Sequence, residues 1–453
     1  MATTALVNSV QACLRWCGID RAIFFTLAGR GWSVIAGPLT LILIGKFLRP
    51  DEQGFYYTFG SVIALNIFFE LGLAYVIVQF SSHEKALLDW AGPEILTGSE
   101  VALVRLATLL QLALKWYGVA ALLVLGVVLP AGLFFFSGNP GSSAVRWQGA
   151  WVWLATTSAL NLLCVPLFAI LEGCGKVSHV ASMRAVQSVF ANIALWVTLF
   201  AGGGLYGAPV FQSAMVAFGA AWALGRYRHF FSGLLRANIQ SSRFDWRKEV
   251  WPFQWRIALS WLSGYVVFQM SNPVLFAFQG PVAAGQMGMS LSLCSALLTM
   301  STSWMNTKAS PFGTMVANRQ WTVLNTLFDA TLRQSLVVLC VACALVFAGA
   351  LFLHQNRFAM AKRLVDPLPF GILLLATIMN HVLFCQSMYL RAHKKEPYLL
   401  QSVVMGVVTS IAIIFLAKNF SVAGVALGFF ICCAVGALWG SLTFIKKRRE
   451  WHA

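Results

Sequence analysis

Twelve stretches of this chain are each about as long and as apolar as a helix that crosses a bilayer. They lie near 22–47, 54–80, 113–136, 148–171, 180–201, 205–225, 252–278, 284–306, 332–353, 369–390, 398–417 and 421–445. A hydrocarbon core about 30 Å thick is spanned by about 20 helical residues. Inside it every backbone N–H and C=O must find a partner within the protein, which excludes loops and open sheets facing lipid. Such a chain is expected to be an all-α polytopic membrane protein. Only 10% of its residues are charged, against about 25% in soluble domains. The net charge of +17 does not point to a nucleic-acid partner, because the basic residues sit between the apolar runs rather than on one face of a soluble domain.

Charge placement tests the span count. With both termini cytoplasmic, and with Lys46, Lys115, Arg184 and Arg333 near span ends counted with the adjoining loops, 23 of the 32 Lys and Arg fall on the cytoplasmic side, seven in outward loops and two within spans. This is the positive-inside bias, and a missed span would reverse half of it. The strongest cytoplasmic markers are RYRHFFSGLLRANIQSSRFDWRKE in the middle and KKRRE at the end. The first apolar run lacks a basic lead-in and is expected to stay in place as a span rather than be removed as a signal peptide. Outward loops are too short to fold as domains. Cysteines lie mostly inside apolar runs; even Cys340 and Cys343, a CxxC, read as helix packing rather than as a metal or redox site. No metal or cofactor is expected.

Similar features recur in the two halves. FLRPDEQGFYYTFGS and FQGPVAAGQMGMSLS share Pro, three residues, then Gly: Pro50 with Gly54, Pro281 with Gly285. A lysine follows the fourth and tenth spans, Lys176 and Lys395, and Gly207 matches Gly424. Six spans per half is an even number, so the halves share an orientation and are related by a pseudo-two-fold along the membrane normal, one of the two common transporter plans. The expected organisation is a lobe at 1–225, a basic cytoplasmic linker at 226–250 and a second lobe at 251–453.

A charge at mid-membrane is costly, about 2.5–3.5 kcal/mol on insertion scales, and so marks function. Three occur here: Arg30, Glu70 and Arg256. At 1.5 Å per residue, Arg30 and Glu70 lie roughly 12 and 15 Å from the cytoplasmic ends of adjoining spans, so a contact between them is expected. Arg256 is nearer the interface, where it could snorkel beside Trp251 and Trp255. The alternative is an anion site, since the guanidinium fork donates paired hydrogen bonds to phosphate. Asn66, Asn161 and Asn272 are candidate cavity residues for sugar hydroxyls, because an amide both donates and accepts. Gln187, Asn192, Gln269, Asn380 and His381 are further polar groups within spans, equally readable as interhelical contacts. Pro38, Pro130, Pro166, Pro209 and Pro273 are expected to kink their helices.

Taken in order, LRPDEQGFYYTF, FFELGL, LEGCGK, WPFQWRIALSWLSGY and GPVAAGQMGMSLS resemble the O-antigen-type (Wzx) oligosaccharide-lipid flippases, over nearly the whole chain. These belong to the multidrug/oligosaccharidyl-lipid/polysaccharide exporter (MOP) superfamily. The resemblance implies twelve helices in two six-helix lobes. It also implies alternating-access transfer of an undecaprenyl-pyrophosphate-linked oligosaccharide, an O-antigen or exopolysaccharide repeat unit for lipopolysaccharide or polysaccharide biosynthesis. The transfer runs from the cytoplasmic to the periplasmic leaflet of a bacterial inner membrane. Carried over residue by residue, it assigns the charged residues Arg30, Arg256 and Glu70 to the substrate cavity, where Asn66, Asn161 and Asn272 are the candidate amides and Glu70 serves ion coupling or acts as counter-ion. Proton or sodium coupling, contact with other polysaccharide-assembly proteins and a monomeric state are the accompanying expectations. The alternatives are a cation-coupled multidrug exporter, a lipid-linked peptidoglycan-precursor flippase, and an enzyme such as a polysaccharide polymerase or glycosyltransferase. Against the enzyme, none of the six Asp forms a DxD and no outward loop is large. The chain is expected not to be an enzyme.

Overall fold

The structure is a computed structural model that describes residues 21–92, 94–139, 144–237, 251–393 and 395–452. Most of the expected basic linker, 238–250, lies outside them. Helix covers all twelve apolar runs. Segment α1 is Arg21–Phe47. The second run is divided into α2 (Pro50–Ile63), a 3-10 turn (Ala64–Asn66), α3 (Ile67–Glu70) and α4 (Leu73–Lys85). A two-stranded hairpin, β1 (Leu88–Trp90) with β2 (Leu96–Gly98), precedes α5 (Glu100–Leu123), which continues through a π turn into α6 (Leu129–Ser137). Then come α7 (Gln148–Leu171), α8 (Val177–Phe200) and α9 (Gly207–Arg236). The second half holds α10 (Trp251–Gln269), α11 (Ser271–Gln279), α12 (Pro281–Asn306), α13 (Ala309–Ala317) and α14 (Trp321–Gln355). It ends with α15 (Pro367–Ala392), α16 (Leu399–Asn419) and α17 (Val422–His452).

By length and apolarity alone, eight helical segments of the described residues could cross a membrane, or nine if α2 to α4 counts as one bent span. That tally joins α7 and α8 into one segment, although Gly175 breaks it with φ +84°. The chain is a multi-pass membrane protein.

Local chemistry explains where helices start and bend. Pro50 occupies the first turn of α2, and the Arg49 backbone N–H donates to Glu52 Oε2 at 2.9 Å, an N-terminal cap by a carboxylate three residues on. Pro281 opens α12 in the same way after Gly280. The π turn Val124–Val128 lies just before Pro130, as expected where a proline withholds its N–H.

The helices form two compact units. One comprises Met1–Thr40, Phe69–Ala131 and Gln148–Trp255; the other comprises Leu41–Phe68, Gly132–Trp147 and Arg256–Ala453. The chain therefore passes from one unit to the other inside its first three spans, near Pro38, near Gly72 and near Pro130. In the first unit α7, α8 and α9 pack with α5 around buried Trp151, whose Nε1 donates to Leu129 O at 3.0 Å.

In the second unit α2 lies against α12. A Cβ on Gly54 would collide with the Pro281 carbonyl, and one on Gly285 would come within 2.8 Å of Gly54 N. The Pro–Gly pairs read as repeats thus meet each other at the crossing. Gln53 Nε2 donates there to the carbonyls of Gly285 (2.9 Å) and Arg363 (3.0 Å). Phe55, Phe59, Phe136, Trp147 and Phe276 close around the same end, with centroids 4.9–6.0 Å apart.

Candidate functional site

The break in the second span carries the first candidate group. Helix α3 ends at Glu70, Leu71 and Gly72 take φ of +50° and +67°, and α4 departs at 43°. Gly72 accepts the left-handed conformation freely; Leu71 there is uncommon for a residue with a Cβ. Two consecutive residues of α5 serve the break. Trp116 Nε1 donates to Phe69 O at 3.0 Å, satisfying a carbonyl close to the break, and the buried Tyr117 hydroxyl donates to Glu70 Oε1 at 3.2 Å. Irregular backbone at membrane depth is tolerated where protein groups satisfy it. The described partner of Glu70 is thus a neutral hydroxyl. The backbones of Arg30 and Arg256 lie in α1 and α10, but their side chains lie outside the described residues, and so does the expected Arg30–Glu70 contact.

A second polar group lies in the other unit. Ser61 of α2 is its hub: its Oγ donates to Gln269 Oε1 at 3.1 Å and accepts from Asn272 Nδ2 at 3.2 Å, while its carbonyl accepts from the Tyr265 hydroxyl at 2.9 Å. Asn272 therefore spends its donor on a helix contact. Its Oδ1 is buried with no partner among the described residues, as is Oδ1 of Asn66 in the 3-10 turn. Two unpartnered amide oxygens are acceptors that a hydroxyl-bearing ligand or water could satisfy. Asn161 is half-buried on α7. Glu70 and Asn161 belong to the first unit, Asn66 and Asn272 to the second. Sequence reasoning missed Ser61 and Tyr265, because a serine and a tyrosine in an apolar run carry no pattern.

His381 is buried on α15, its Nδ1 3.1 Å from Ser301 Oγ and its Nε2 2.9 Å from Ser335 Oγ. Both ring nitrogens are used, which makes it a helix-packing group. A cavity of about 220 Å³ in the same unit is lined by Ser263, Asn380, Arg391, Gln401, Thr409 and Cys433, with no carboxylate in its lining.

No protein-family model matches the chain, and no curated protein matches it in sequence. Solved structures do match its fold. An inward-facing MATE-family multidrug resistance transporter of the MOP superfamily shares 16% identity at a TM-score of 0.67, covering 95% of this chain and 99% of its own. The lipid II flippase MurJ, in an inward closed conformation, shares 14% at 0.55, covering 95% and 90%. A MOP superfamily transporter from Pyrococcus furiosus, described as having a binding pocket of reverse polarity, shares 14% at 0.58, covering 96% of each chain. This chain has the fold of the MOP superfamily transporters. These neighbours are transporters rather than enzymes.

Proposed function

We propose that this chain is an alternating-access flippase that moves an undecaprenyl-pyrophosphate-linked oligosaccharide from the cytoplasmic to the periplasmic leaflet of a bacterial inner membrane. In this reading twelve spans form two six-helix lobes, at 1–225 and 251–453, with both termini cytoplasmic. The observation that carries the choice of substrate is charge: Arg30 and Arg256 lie in the twelve spans, whose one carboxylate is Glu70. A cavity with surplus positive charge suits a pyrophosphate and repels a cationic drug. The unpartnered amide oxygens of Asn66 and Asn272 suit sugar hydroxyls, and the lipid tail stays in the bilayer.

Reconstitution into liposomes tests this. Lipid-linked pyrophosphoryl sugar placed in one leaflet is expected to reach the other only with the protein present. A cationic dye should not be moved. Transport of the dye without the sugar would replace the flippase by the second reading, a cation-coupled multidrug exporter, which the likeness to MATE transporters keeps in view. Repeating the assay with and without a proton or sodium gradient tests coupling.

Glu70 is proposed as the counter-ion of Arg30 rather than as a proton carrier. Removing one partner of a buried pair costs about 3–5 kcal/mol, whereas replacing both with apolar residues is often tolerated. Arg30→Met with Glu70→Leu should therefore express and melt closer to wild type than either single variant. A double variant as unstable as the worse single one would argue against the pair.

A further inference from the structure

The cytoplasmic end of the first unit holds a cationic cluster that the transport reading does not use. Gly175, at φ +84°, turns the chain between α7 and α8 and presents Lys176. Its ammonium sits 4.1 Å from the centre of the Trp90 ring, on β1. The Trp90 indole N–H donates to Cys174 O at 2.8 Å, fixing the hairpin to that turn. Lys85, at the end of α4, and Arg226, beside the kink at Tyr227 in α9, are the charges that act on Lys176; partial burial, then these two like charges, hold its ammonium below the usual lysine range. The Trp90 ring that holds Lys176 also packs on Phe230, one turn beyond Arg226, with centroids 5.2 Å apart, and the Lys85 ammonium donates to Leu88 O on the same strand at 2.5 Å. Among the described residues no carboxylate pairs with Lys176. Asp89 lies 3.5 Å from Lys85 but is almost wholly exposed, and Glu94 caps the His229 N–H instead. The hydroxyl of Tyr227, next to Arg226, meets His179 Nδ1.

The corresponding lysine of the second half supplies a contrast. Lys395 lies 4.8 Å from the Trp451 ring centre. There Glu450, bonded to Lys447 at 2.6 Å and also facing Lys446 and Lys395, is held below the usual carboxylate range. The second lysine–tryptophan pair carries its own anion; among the described residues the first has none.

We propose that Lys176, Lys85 and Arg226, with Trp90 as their platform, bind the phosphate of an anionic phospholipid headgroup in the cytoplasmic leaflet. Exposed Leu87, Val177 and Leu224 flank the three cations, so an acyl chain finds an apolar surface beside its phosphate. A free phosphate would gain nothing from them. Tryptophan at the headgroup level and lysine clusters on the cytoplasmic face are the usual elements of such recognition.

The test is thermal unfolding of the purified full chain in mixed micelles. Phosphatidylglycerol is expected to raise the midpoint more than phosphatidylcholine does. K176Q/R226Q should lose at least half of that excess while its phosphatidylcholine curve stays as in wild type. K395Q should keep all of it. K176R/R226K retains both charges and should keep most of the excess, so it replaces the glutamine variant if that one does not purify as a single species. The proposal falls if both lipids stabilise wild type equally, or if K176Q/R226Q keeps the full excess. It falls also if millimolar inorganic pyrophosphate reproduces the whole effect, since the site would then take a free phosphate. Substrate transport is not read in this experiment, so its outcome is separate from that of the flippase assay.

Discussion

Gly54→Val is expected to lower the thermal stability of this protein by roughly 1–3 kcal/mol, the usual cost of overpacking, and to stop transport. At Gly54 the obstacle is backbone: the added Cβ meets the carbonyl of Pro281, at the first position of α12. A carbonyl in the first turn of a helix cannot rotate away as a flexible side chain can, so the two helices must part. The hydrogen bonds from Gln53 to Gly285 O and Arg363 O would lengthen with them. In the proposed arrangement α2 belongs to the lobe 1–225 and α12 to the lobe 251–453, and the charge bias assigns this end to the outside, so alternating access would require the contact to form once per cycle. A bias of 3 kcal/mol against the closed arrangement lowers its population about a hundredfold. Gly285→Val should act alike, since its Cβ would press on Gly54 N. Gly60 supplies the control: it lies on the same helix with open space around its Cβ position, so Gly60→Ala should be neutral or stabilising by up to about 1 kcal/mol. Melting curves of the three variants and flipping in liposomes check both parts. Gly54→Val with wild-type stability would contradict the crossing described for α2 and α12.

Much of this architecture was legible in the amino-acid order. Twelve apolar runs became helix because the period and length of a span leave few alternatives. The Pro–Gly repeat was visible as two hairpins and proved to be a physical contact, Gly54 on Gly285. Other features were hidden for physical reasons. The break at 70–72 contains no proline; it rests on the left-handed Gly72 and on what Trp116 and Tyr117 do from another helix, which no local pattern reports. The hairpin 88–98 lies in a segment too short and mixed to show strand alternation. Ser61 organises its group through a hydroxyl and a backbone carbonyl, neither marked by residue type. Asn272 was chosen for its amide, and the amide is half committed to Ser61. The expected pair of Arg30 with Glu70 rests on depth and adjacency alone, and the partner of Glu70 seen here is Tyr117.

The changes of unit inside the first three spans have a mechanical meaning. Each falls at a place where the helical hydrogen-bond ladder is weakened: Pro38 in α1, the left-handed pair Leu71–Gly72, and Pro130 behind a π turn. Spans that carry a break can bend there, at a few residues that absorb the change in backbone angle. Glu70 stands at one such break, where its carboxylate accepts from the Tyr117 hydroxyl.

The larger functional effect is expected from Arg30→Ala combined with Arg256→Ala. In the proposed cycle the pyrophosphate enters from the cytoplasmic leaflet, and the proposal places these two guanidinium groups in the cavity toward that side. A hydrogen bond to a charged group is worth about 1.5–3 kcal/mol, and a guanidinium can give two in parallel. Losing two or more such bonds should weaken substrate binding by a factor on the order of a thousand, since each 1.4 kcal/mol is tenfold. Transfer of lipid-linked sugar between leaflets should then vanish, with expression and melting temperature near those of wild type. Lysine at both positions should restore only part of the activity, because an ammonium is a point charge without the planar fork. The single variants separate the roles. If Arg256 only snorkels to the interface beside Trp251 and Trp255, Arg256→Ala alone will transport normally and Arg30→Ala will carry the whole loss. A double alanine variant that flips the sugar at the wild-type rate removes the anion site, and with it the charge argument that sets a pyrophosphate above a cationic drug as the cargo of this fold.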